Sequence, residues 1–87
     1  MHEKLISANI ALFKGDRAET IRLLDELERD HPQALQDHVS MVMWLRAHAQ
    51  TDNTIRLQYM HELLAHTPSD DYYHRLTHEH LMNEDYY

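Results

Sequence analysis

Residues 13 to 32 read FKGDRAETIRLLDELERDHP, and this stretch holds the only glycine of an 87-residue chain. Gly15 is followed at once by Asp16, then by Ala18, Ile21, Leu24 and Leu27 at spacings of three, then by Pro32. Glycine takes the left-handed conformation that closes a helix without the steric cost a Cβ imposes. An aspartate directly after it can accept bonds from the free amides that open a second helix. Proline fits at the first position of a third helix, where its missing N–H is not needed. The stretch therefore predicts a helical hairpin, reversed at Gly15 and closed at Pro32.

The same punctuation cuts the rest of the chain. A first helix is expected from His2 to Phe13, with Leu5, Ile6, Ile10 and Phe13 as its apolar stripe. The second runs from Asp16 to about Arg29, and the third from Pro32 to about Ala49. Thr51 or Asp52 caps a fourth, which carries Ile55, Met60, Leu63 and Leu64 and ends near His66. Ser69 is the expected cap of a fifth, over 69–82, with Tyr73, Leu76 and Leu81 inward, while the NEDYY tail, 83–87, is expected to fray. No segment alternates with period two, so no strand is expected. Short connections make successive helices antiparallel. The expected fold is all-α: five antiparallel helices stacked as helical hairpins in one domain, with units 1–31 and 32–67 followed by a C-terminal helix.

Size and charge narrow the possibilities. A chain this short buries only about 60 to 65% of its unfolded surface, and a core that small rarely supplies more than about 3 to 5 kcal/mol of net stability. There is no cysteine to add a disulfide. The 15 acids against 8 Lys and Arg leave a net charge of −7. A phosphate backbone would repel that field, so nucleic acid is not an expected partner. Nine histidines would reverse the sign if all were protonated, so the electrostatics change steeply between about pH 7 and pH 5. No run of 18 apolar residues occurs, so no membrane span is expected. The opening MHEKLISANIALF carries Glu3 and Lys4 and spaces its apolar residues helically, unlike a cleaved leader. A cytoplasmic location is the expectation.

A shift of 36 residues superimposes Pro32 on Pro68, Asp16 on Asp52, Glu26-Leu27 on Glu62-Leu63, Ala11 on Ala47, Leu5 on Met41 and Ile6 on Val42. On these residues the chain is similar to the tetratricopeptide repeat family, whose unit is helix, turn, helix, proline. Ala8 stands at that family's small first-helix position, Gly15-Asp16 is its turn, and Pro32 closes the unit. The likeness covers 1–32 well and 33–68 poorly. Thr20 and Leu27 stand where the family has alanine, Trp44 where a small residue lets helices approach, and Thr51 where the turn glycine belongs. The second unit also exceeds the usual 34 residues. Altered packing near Trp44 is expected.

Chemistry needs convergent reactive groups, and the sequence offers few. HELLAH, residues 61–66, resembles the zinc-protease pattern with one residue too many, and a spacing of five turns the second imidazole about 140° away. His74 and His78 do stand at i, i+4, with His80 nearby, and could chelate a divalent ion weakly, although a dedicated site needs further ligands. A solvated helix face is the simpler reading of all three. No cysteine nucleophile, glycine-rich phosphate loop or Ser-His-Asp set is apparent. The expectation is a protein without catalysis and without a cofactor.

The resemblance implies binding instead. In tetratricopeptide stacks the first helix of each hairpin lines a groove that receives a partner's peptide or helix. Carried onto this chain, the groove would hold His2, Leu5, Asn9 and Leu12, then His38, Met41, Leu45 and His48. The offset continues to His74, Thr77 and Leu81, so His2, His38 and His74 form an expected row able to tune binding with pH. The third helix, apolar around much of its circumference, is either central or covered by another chain, and its Met43 and Trp44 would suit an adaptable contact. The paired tyrosines near the C-terminus could form a further contact patch. The expected function is a small adaptor for a protein or peptide partner. The alternatives are a metal- or pH-responsive regulator built on histidine and a self-associating bundle such as a homodimer.

Overall fold

The computed structural model describes residues 2–84. Six helices follow one another: α1 (Glu3–Phe13), α2 (Arg17–Asp30), α3 (Pro32–Asp37), α4 (Val39–His48), α5 (Asn53–His66) and α6 (Tyr72–Glu84). No strand occurs among the described residues.

The turn chemistry is as the sequence requires. Gly15 has φ 81°, and Asp16 Oδ1 accepts the Glu19 N–H at 3.1 Å to cap α2. Pro32 opens α3. Asp52 caps α5 by accepting from the Thr54 and Ile55 amides at 2.8 and 3.2 Å. At α6 the cap is Asp71, whose Oδ1 accepts the His74 N–H at 3.0 Å, and not Ser69. Asn83 and Glu84 belong to α6, and the rest of the tail expected to fray, with Tyr86 and Tyr87, lies outside the described residues.

The expected third helix is divided. His38, at φ −132° and ψ 43°, ends α3 and begins α4. Asp37, His38, Val39 and Ser40 are four weak helix formers in succession. Tertiary packing uses the break, since α3 packs against α2 and α4 while α4 reaches every other helix. Helix α4 is therefore the central element.

Contacts join α1 to α2, α4 to α5, and α4 to both α1 and α6. The short principal axis is 17 Å, room for two helix layers spaced about 8 to 10 Å and no third. The larger core cluster joins Leu5 and Ala8 of α1, Leu23, Leu24 and Leu27 of α2, and Met41, Val42 and Leu45 of α4. A smaller one joins Ala47, Met60 and Leu81. Trp44 and Tyr73 cover the larger cluster from its edge, with ring centroids 5.9 Å apart.

The first helix does not use its apolar residues as one stripe. Leu5, Ala8 and Ala11 face the core, while Ile6, Ile10 and Phe13 point to solvent. Small residues at 8 and 11 explain the choice, because they let α2 approach closely, and Thr20 then packs fully buried across from Ala8. The Thr20 hydroxyl donates to the Asp16 carbonyl at 2.9 Å, with the Ala8 carbonyl at 3.4 Å.

Candidate functional site

The N-terminal ends of α1, α4 and α6 meet at one edge of the molecule around two adjoining clefts. The first, about 650 Å³, is lined by His2, Asp30, His31, Gln33, Gln36, Asp37 and His38. The second, about 300 Å³, shares Asp37 and His38 and continues to Ser40, Asp71, Tyr72 and Tyr73, with Met41 in its wall. Together they make a trough lined by three carboxylates, three imidazoles and two phenols. Neither cleft is lined by any Lys or Arg.

Helix boundaries position these groups. His2 caps α1, its Nδ1 accepting the Lys4 N–H at 3.1 Å. His31 stands between α2 and α3, with its ring centroid 4.6 Å from that of His2. His38 stands between α3 and α4. Asp71 ties α6 to α4 by accepting the Ser40 hydroxyl at 2.8 Å. Burial pushes its carboxyl up, but the bonds from Ser40 and from the His74 and Tyr73 amides outweigh this and hold it below the ordinary carboxylate range. Burial, then the neighbouring Tyr72 and Asp71, push the Tyr73 hydroxyl up.

The residues expected to line a groove are spread over three environments. His2 and His38 share the first cleft. Leu5, Met41 and Leu45 lie in the core, because α4 is packed on all sides and its apolar positions are consumed there. Asn9 is half-buried, and so is Leu12, which packs against the same core. His48 stands at the far end of α4, with its ring centroid 3.9 Å from Trp44 and 5.6 Å from His80. Burial first, then His80 and Arg56, push its pKa down to about 4.

His74 does not extend the row. Its Nδ1 lies 3.0 Å from the Thr67 hydroxyl, and it lines a separate hollow of about 430 Å³ with His78, Ser69, Arg75 and Glu79. His80 turns instead toward His48. Among the described residues no group of three His, Asp or Glu is arranged to hold a metal ion. His31 joins His2 and His38 in the first cleft, which the repeat offset could not reveal. Its position before Pro32, at a helix boundary, was the available signal.

No family model, curated protein or solved structure matches the chain. The class that the coordinates define is a two-layer, all-helical protein with an acidic, histidine-lined trough at one edge. Among the described residues no helix is long and apolar enough to cross a membrane.

Proposed function

We propose that this chain is a non-catalytic protein-interaction module, a tetratricopeptide-like stack of two hairpins and one added helix, that holds a cationic segment of a partner protein along the trough. The observation that carries the reading is the continuity of two clefts sharing Asp37 and His38, lined by Asp30, Asp37 and Asp71 with no Lys or Arg among their walls. The repeat-like stacking is supported by the sequence offset and by α4 lying against both α1 and α6, as successive first helices would.

The trough's chemistry selects the partner. Asp30 is already paired with Arg29 at 3.0 Å, so an ammonium or guanidinium entering the trough meets Asp37 and Asp71, and the exposed ring of Tyr72 offers a cation–π contact worth about 0.5 to 1 kcal/mol. The net charge of −7 adds long-range steering that salt screens. A cytoplasmic setting agrees with the cysteine-free composition.

A peptide array scored for binding at low and high salt tests this. Lys/Arg-bearing peptides should be selected over their charge-reversed counterparts, and Asp37→Asn with Tyr72→Ala should weaken them about tenfold without changing the thermal melt. Equal capture of charge-reversed peptides, or capture unaffected by the double substitution, contradicts the reading. Asp71 is left intact because it caps α6.

A further inference from the structure

Helix α6 carries one histidine whose hydrogen bonding fixes which ring nitrogen is open to a ligand. The Thr67 hydroxyl, just beyond α5, lies 2.6 Å from the Leu63 carbonyl and 3.0 Å from Nδ1 of His74. A hydroxyl has one proton and a carbonyl can only accept, so that proton goes to Leu63. The second bond then runs the other way, with the His74 Nδ1–H donating to Thr67 Oγ1. In a neutral imidazole so arranged the lone pair is on Nε2, across the ring from Thr67. No hydrogen bond uses that nitrogen among the described residues.

His78 stands one turn further along the same face, and helical side chains lean toward the N-terminus, which brings its ring over His74. Both histidines line the hollow of about 430 Å³, with Glu79 and Arg75 of opposite charge beside them. His78 is exposed, and its ring makes no hydrogen bond or ion pair among the described residues. The other histidine pairs lack this preparation. His2 spends the lone pair of Nδ1 on the Lys4 amide, which leaves the proton on Nε2. His61 and His66 are five apart, turned by about 140°. His48 and His80 have the Arg56 guanidinium nearby, which opposes a second cation.

We propose that His74 Nε2 and the His78 imidazole chelate a late divalent transition-metal ion, copper(II) ahead of nickel(II) or zinc(II), with water completing the coordination. Paired imidazoles suit these ions, whereas magnesium and calcium take oxygen donors. Thr67 serves as the outer oxygen partner that sets the tautomer and orientation of a metal-bound histidine. With two protein ligands the site is open and exchanges its ion, unlike a closed four-ligand structural centre. This accords with the absence, among the described residues, of a three-residue ligand group.

Calorimetric titration of the full chain with copper(II), zinc(II) and magnesium tests the site, together with nitrogen-15 spectra recorded with zinc(II). The first equivalent of copper(II) should bind more tightly than zinc(II), and magnesium should not bind. Zinc-induced shifts should centre on His74 and His78. His78→Gln should weaken the first copper(II) site at least about tenfold, and Thr67→Val, which keeps both histidines but frees the His74 tautomer, should weaken it by about tenfold as well. His78→Gln with Glu79→His keeps the number of histidines but sets the pair five apart, and should not restore binding. Circular dichroism melts without metal should show the His78 variants folded like the parent. Failure to bind copper(II) or zinc(II) overturns the proposal. So does an affinity unchanged in His78→Gln or Thr67→Val, recovery at the spacing of five, or zinc shifts centred on His2 and His31.

Discussion

Trp44 and His48, one turn apart on α4, hold their rings with centroids 3.9 Å apart, and His80 meets the His48 ring at 5.6 Å. The buried Nε2 of His48 makes no hydrogen bond. Burial, His80 and Arg56 push the His48 pKa from 6.5 down to about 4. The folded state therefore binds fewer protons than the unfolded chain below pH 6.5. Its stability is complete above that pH, falls as pH is lowered toward 4, and levels off below. With the imidazole partly open to solvent, the loss attributable to His48 is about 1 to 2 kcal/mol. Urea unfolding between pH 7.5 and 4, followed by the single tryptophan, should show this slope, and His48→Gln should flatten it.

Two fully buried threonines should answer the same substitution with opposite signs. Thr20 donates its hydroxyl to the Asp16 carbonyl, whereas Thr77 Oγ1 is buried without a partner. Valine keeps the shape and removes the hydroxyl in both cases. Thr20→Val should cost about 1 kcal/mol, and Thr77→Val should stabilise by a similar amount. Denaturant midpoints of the two variants, compared at constant m-value, decide it.

Helix α1 offers a comparison of its two faces. Leu5→Ala opens a cavity between α1, α2 and α4 and should cost about 2 to 5 kcal/mol. Phe13→Ala, on the solvent side, should change stability by less than about 0.5 kcal/mol when measured at dilution. Reversed costs would mean that α1 is rotated about its axis.

Gly15 isolates a backbone effect. Its φ of 81° disfavours an L-residue, yet a Cβ there would meet nothing within 4 Å. Gly15→Ala should therefore cost about 1 kcal/mol through conformation alone, and Gly15→Asn should cost less, since asparagine visits the left-handed region more readily.

What the sequence made legible was the punctuation. Gly15, Asp16, Pro32 and Asp52 each act locally, through φ or a cap, so their roles survive whatever the tertiary fold does. The break at His38 was not legible from spacing, because the apolar positions continue through it; only the run of weak helix formers hints at it, and the packing of α3 on α2 makes use of it. The inward face of α1 was ambiguous for a related reason. Leu5, Ile6, Ile10 and Phe13 make an acceptable stripe, and the decision falls to Ala8 and Ala11, whose smallness lets α2 come close. In the trough, the offset linked His2 to His38, and both line the first cleft. His31 and Tyr72 arrive there through the geometry of the helix junctions, which no single-helix periodicity encodes.

Binding in the trough is tested most directly by nitrogen-15 NMR during titration with a Lys/Arg-bearing peptide chosen from the array. The amide shifts should concentrate at His2, His31, His38 and Tyr72, and they should shrink as salt is raised. Shifts confined to other surfaces, such as the outer face of α5, or none from any cationic peptide, would contradict the proposed docking.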